Sequence, residues 1–202
     1  MPSSIHRRAF FAGVGAFAIA AWPGLRPVEA RAAISSDSLA SLRSGNLVVY
    51  FRHAATTWSG VDQIDWPRER QRLLSEEGIR QSRMIGQEFK RLDLPVGDVL
   101  ASPFARCRDM AEIAFGRVEE RLELLGLLSD SAGREDRVAY LRQQVSTPTN
   151  GTGNRIIVSH TSNIREVANV FLNEGDGVLL RPLGDERFEI LESVAPDQWS
   201  AV

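Results

Sequence analysis

The chain has 202 residues, 43% apolar and 25% charged, the proportions of one soluble globular domain. They exclude a disordered chain, a collagen-like repeat and a polytopic membrane protein. A formal charge of −2 offers no basic field for nucleic acid, and the lone Cys107 excludes an internal disulfide framework or multi-cysteine metal cluster. Every basic residue except Lys90 is arginine, a skew read as compositional habit.

The opening segment differs from the rest. Arg7 and Arg8 precede an uncharged stretch from Ala9 to Pro23, which is shorter than the ~20 residues a spanning helix needs. Small residues follow, and Ala30-Arg31-Ala32 offers an A-x-A processing site. Basic, apolar and small-residue regions in that order predict a secretory signal peptide over 1–32, with Arg7-Arg8-Ala9-Phe10-Phe11 resembling a twin-arginine signal. The expected mature chain, 33–202, is then exported to the periplasm or outside the cell and has no membrane span. It keeps only His53 and His160 of the three histidines.

Along the mature chain, Leu47 to Phe51 is a continuous β-branched and aromatic run, as in a strand buried on both faces. Ser75-Glu76-Glu77 opens a helix carrying Ser82, Ile85, Phe89 and Leu92 on one face. Val96 to Ala101 reads as a strand, and Ser102-Pro103 starts a helix that Gly116 ends. Val118 to Leu125 is expected to be a third strand, interrupted by Glu119, Glu120 and Arg121. Val138, Leu141 and Val145 mark a helix, and Ile156 to Val158 the clearest strand after the first. Ile164, Val167, Ala168, Phe171 and Leu172 form a helical apolar stripe. Two strands close the chain, near Gly177–Leu180 and Phe188–Leu191. Strands alternating with helices predict an α/β/α sandwich around a mostly parallel sheet.

In such sheets, functional groups gather beyond the carboxyl ends of the strands. The first strand runs into Arg52-His53, the Ile156–Ser159 strand into His160, and the Val96–Ala101 strand into Ser102-Pro103 with Arg106 a turn later. This set suits phosphoryl transfer. Two guanidiniums hold phosphate oxygens bidentately at any working pH. One neutral histidine attacks phosphorus, and a second stabilises charge on the equatorial oxygens. No metal or cofactor is implied.

Phe51-Arg52-His53-Ala54-Ala55-Thr56 resembles the R-H-G-x-T signature of the histidine phosphatase superfamily, also called phosphoglycerate mutase-like. Leu74 to Gln81 is similar to L-[ST]-x-x-G-x-x-Q, Ala101 to Ala111 to S-S-P-x-x-R-x-x-x-T-A, and Val158 to Arg165 to V-G-H-x-x-x-[IL]-R. The four motifs stand in the family's order. The resemblance implies a phosphoglycerate mutase-like fold and a phosphorylated nucleophile at His53. It implies a phosphate pocket of Arg52, Arg106 and His160, with Thr56 as the signature threonine. Ala54, Ser159 and Met110 depart from the usual glycine, glycine and threonine. Ser59, where mutase-like members often have asparagine, argues with the short chain against mutase activity.

The general acid is the least defined part. Thr161 follows His160 where acid-phosphatase relatives carry aspartate, which leaves the loop after the third strand and its Asp130 as first choice. Glu135, Asp136 and Glu174 are further carboxyls, the first two at a helix start. Arg108 competes with Arg106 for the pocket role, Cys107 reads as a buried small hydrophobe, and Arg68 to Arg72 as a solvated face or substrate mouth. Trp58 and Trp66 flank that stretch and are expected to pack in the core or a lid. The resulting expectation is a phosphomonoesterase whose substrate is a phosphorylated small molecule or envelope component, with inorganic phosphate as product. The rival is a phosphate-binding or interaction module that keeps the pocket without turnover. Hydrolysis of an aryl phosphate discriminates the two.

Overall fold

The computed structural model describes residues 33–128, 133–149 and 153–201. The expected export segment (1–32) and Asp130 lie outside the described residues.

Strand β1 (Val48–Arg52) forms where the apolar run was expected, and its alternation divides the core. Val49 and Phe51 face one side, with Phe89, Phe115 and Trp199 at ring-centroid separations between 5.0 and 6.4 Å. Val48 and Tyr50 face the other, with Leu141, Val145 and Ile164. Each fully buried side chain of this size contributes about 1.5–3 kcal/mol of transfer free energy, so both layers are driven by the same strand.

The remaining elements are α1 (Ser36–Arg43), α2 (Glu76–Arg91), β2 (Val96–Ala101), α3 (Ala105–Phe115), β3 (Glu119–Glu120), α4 (Arg134–Ser146), β4 (Asn154–Ser159), α5 (Thr161–Ala168), β5 (Gly177–Gly184) and β6 (Arg187–Val194). Their order in the sheet is β3-β2-β4-β1-β5-β6. Pairing is parallel from β3 through to β1, and β5 is antiparallel to both neighbours. Helices α2 and α3 cover the Phe51 face, and α4 and α5 the Tyr50 face. The result is a three-layer α/β/α sandwich with a largely parallel six-stranded sheet. Because β4 returns between β2 and β1, the chain reverses its direction of winding there. That opens a crevice at the carboxyl ends of these three strands. No helix among the described residues is long and apolar enough to cross a membrane.

Local chemistry explains the boundaries. Ser75 caps α2 by accepting from Gly78 N–H, with Glu76 and Glu77 in the first turn, where they favour the helix dipole. Gly116 ends α3 in the left-handed conformation at φ 70°. Three expectations need correction. The third strand is two residues long rather than Val118–Leu125: exposed Glu119 and Glu120 form a sheet edge, and Leu122–Leu124 coils into a 3₁₀ turn that buries Leu124. Helix α3 begins two residues beyond Pro103, at Ala105. The apolar stripe ends at Ala168, because Asn169 turns left-handed at φ 55°; Leu172 is buried beyond the helix, and Phe171 is 65% exposed.

Candidate active site

Strand register brings the site together. Arg52 lies opposite Ser159, while Phe51 and Ala101 flank Val158 on either side. The ladder extends one residue further: His53 N–H donates to Ser159 O and Ser102 N–H to Val158 O, both at 3.0 Å. His53, His160 and Ser102 are therefore adjacent outcomes of three parallel strands. The two imidazole rings meet edge-on at 5.6 Å between centroids.

His53 Nδ1 lies 3.0 Å from Ala54 O. A carbonyl only accepts, so Nδ1 carries the hydrogen and Nε2 keeps its lone pair. Burial, then the charge of Arg106, holds His53 well below the usual histidine range, against the opposing pull of the Ala54 carbonyl. The ring is neutral at pH 7, with a free nucleophilic nitrogen. His160 is buried behind it, its Nε2 2.9 Å from Ser102 Oγ and its carbonyl accepting from Tyr50 Oη at 2.8 Å. Burial and then Arg106 also hold His160 well below the usual range.

The arginines are placed by contacts to the loops above the sheet. Arg106, in the first turn of α3, stacks on the Phe104 ring at 4.4 Å, and that ring meets His160 edge-on at 5.5 Å. Its Nη1 donates to both oxygens of Asp62, at 3.0 and 2.8 Å. Arg52 Nη1 donates to Leu172 O at 3.0 Å, and its Nη2 lies 3.5 Å from Glu174. Arg108 instead pairs with Glu120 at the surface, away from the two histidines. Cys107 is fully buried, and burial pushes its thiol up to about 12, an unreactive state.

Thr56 does not stand free before the histidines. Its N–H and Oγ1 both donate to Glu174, at 3.1 and 3.0 Å, and Oγ1 lies 2.7 Å from Arg72 Nη2. Arg72 also donates to Glu174 at 2.7 Å and to the carbonyls of Trp58 and Gly60. Glu174 thus gathers Arg52, Arg72 and Thr56 around one carboxylate. Four donors therefore converge on its two oxygens. The arginine-rich stretch divides accordingly: Arg68–Arg70 is a solvent-facing 3₁₀ turn, as expected of a solvated face, while Gln71 and Arg72 are buried. Trp58 remains 39% exposed beside Arg72, its ring 5.9 Å from that guanidinium.

Sequence reading missed Asp62 and Ser102 as members of the site, offered Arg72 only within a solvated face or substrate mouth, and left Glu174 as a spare carboxyl. Among the described residues, no three His, Cys, Asp or Glu side chains gather as a metal site. Chemically, two neutral imidazoles among guanidiniums, one of them with its Nε2 lone pair uncommitted to the Ala54 carbonyl, make a cationic, donor-rich cluster suited to an anionic, oxygen-rich ligand.

The model of the histidine phosphatase superfamily (branch 1) matches residues 48–134, which include Arg52, His53 and Arg106. A comparison with curated proteins finds no match. Among solved structures, the protein histidine phosphatase SixA complexed with tungstate is similar at TM-score 0.55 and 16% identity, covering 75% of this chain and 97% of that one. A phosphoserine phosphatase from Entamoeba histolytica in complex with 3-phosphoglyceric acid is similar at TM-score 0.56 and 14% identity, covering 76% and 98%. At these identities the structures bear on fold, and the fold they share is the one the motif order implied. Over residues 48–134 the chain thus matches the histidine phosphatase superfamily, and its fold is the one these solved structures share.

Proposed function

We propose that this protein hydrolyses phosphomonoesters through a phosphohistidine on His53. The observation that carries this is the Nδ1–H···O=C bond to Ala54, which leaves the Nε2 of a buried, neutral ring free beside His160 and the arginines. In the first step Nε2 attacks phosphorus, an Nε2–P bond forms and the ester P–O bond breaks. The departing alcohol takes a proton. In the second step water attacks phosphorus, its proton returns to the group that protonated the alcohol, the P–N bond breaks and inorganic phosphate leaves. Arg52 and Arg106 hold the equatorial oxygens, and His160 donates to one of them as charge develops. The names of the similar structures, a protein histidine phosphatase and a phosphoserine phosphatase, support a phosphoryl substrate of this kind.

Asp130 is the proposed proton donor to the alcohol, on the strength of its loop after β3. The engagement of Glu174 with four donors supports Asp130 over that alternative carboxyl. Export of the mature chain, supported by the N-terminal sequence, sets the substrate among phosphorylated small molecules or envelope components outside the cytoplasm. Purified protein given an aryl phosphate should release phosphate, and His53→Ala should not. Equal release by both would reject the reading, and release by neither would favour a binding module.

A further inference from the structure

Asp62 is 1% exposed and Arg106 2%, so their ion pair is removed from water almost completely. A pair this buried gives up much of its hydration, and apolar replacement of such pairs is often neutral for stability. Its geometry indicates another use. Both carboxylate oxygens take the same guanidinium nitrogen, Nη1, rather than forming the two-nitrogen fork that maximises an arginine–carboxylate contact. Arg106 Nε is buried without a partner among the described residues, and its Nη2 makes no hydrogen bond among them. The Nε/Nη2 edge is the one that matches two oxygens of a phosphoryl group. A buried orphan donor is costly in a resting protein and is satisfied by a ligand.

The carboxylate is itself held in place. Asp62 Oδ2 accepts from Arg72 N–H at 2.9 Å. Gln71 donates to the carbonyls of Ile64 and Trp66 and accepts from Ala105 N–H, tying the loop that carries Asp62 to the start of α3. The guanidinium is thus gripped at Nη1 by Asp62 and backed by the Phe104 ring. These two contacts fix its plane and its rotation.

We infer that Asp62 is a positioning residue, which turns the Nε/Nη2 edge of Arg106 toward the phosphoryl group and remains on Nη1 while that group is bound. This rests on the phosphatase reading above and adds to it a loop residue that acts only through Arg106.

The test uses tungstate as a phosphoryl mimic, with its affinity measured by calorimetry, beside aryl phosphate turnover. Asp62→Asn keeps the shape and an acceptor for Arg72 N–H but removes the charge. Tungstate affinity and kcat/KM are expected to fall by about ten- to a hundredfold, as when an outer partner of a site group is lost, with the thermal transition retained. In Arg106→Lys the fork edge is already gone, so adding Asp62→Asn to it should cost nothing more. Unchanged or tighter tungstate binding in Asp62→Asn overturns the inference, the latter because it would make Asp62 a competitor of phosphate. Additive losses in the double variant overturn it as well. If Asp62→Asn fails to fold, Asp62→Glu keeps the charge and displaces the carboxylate by one methylene, and wild-type tungstate affinity in that variant is equally fatal. Wild-type protein that binds tungstate but hydrolyses nothing defeats the phosphatase reading alone. Wild-type protein that does neither defeats both.

Discussion

Two neutral, buried histidines make stability depend on pH in a window where carboxylates do not titrate. Both His53 and His160 lie well below the ordinary value of 6.5 in the folded protein. As pH falls through 6.5 the unfolded chain takes up a proton on each, and the folded protein does not. The unfolded state then binds more protons, so stability is full above pH 6.5 and is lost below it. Between pH 7.5 and 5.5 one such histidine loses about 1.4 kcal/mol, and the pair about 2.7 kcal/mol. For a domain of this size that is a drop in Tm of roughly 5–11 °C. Thermal melts by circular dichroism at several pH values measure it, with the His53→Asn/His160→Asn double variant as reference. The double variant should lose this part of the slope and each single variant half of it. A wild-type slope that survives intact in the double variant would refute the reasoning, since the protons would then be taken up elsewhere.

Other outcomes follow from single contacts. Gly78→Ala gains about 1 kcal/mol in helix propensity, yet its Cβ would overlap the backbone carbonyl oxygen of Ala55 in the signature loop. Overpacking of about 1–3 kcal/mol should lower Tm and kcat/KM together, and a raised Tm with unchanged turnover would contradict the packing. Arg52→Lys replaces a planar fork, whose separate Nη1 and Nη2 reach Leu172 O and Glu174, by a single nitrogen that cannot span those partners and a phosphoryl oxygen, so kcat/KM should fall roughly a hundredfold; steady-state kinetics on the folded variant check this. Asp130→Asn should slow alkyl phosphate hydrolysis by about 10²–10⁴ and leave aryl phosphates, whose phenolate departs unaided, much less affected. Equal losses on the two substrates would remove Asp130 from the mechanism.

The residues legible in the sequence are those whose position follows from strand ends. Arg52, His53, Arg106 and His160 each sit within one turn of a parallel strand's carboxyl end, so alternation and register alone bring them to one crevice. Asp62 meets Arg106 across 44 residues, and Arg72 meets Glu174 across 102. Those contacts depend on how two loops fold against each other, which no periodicity encodes. Two of the three corrected element boundaries differ from the sequence expectation for similar reasons. The stripe through Phe171 continues in pattern, but Asn169 adopts the left-handed cap that stops the helix. Val118 to Leu125 carries enough apolar residues for a strand, but at a sheet edge only two residues find a partner. Within Arg68 to Arg72 the two readings divide: Arg70 faces solvent, and Arg72 is carried inward to the backbone carbonyls of Trp58 and Gly60.

The nucleophile is tested most directly by trapping the intermediate. Wild-type protein mixed briefly with a phosphate ester radiolabelled at phosphorus, then quenched in base, should carry an acid-labile phosphoryl group on the peptide containing His53. Folded His53→Ala, still able to bind tungstate through the arginines, should carry none and turn over nothing. Label on another residue, or substantial turnover in folded His53→Ala, would contradict the phosphohistidine mechanism.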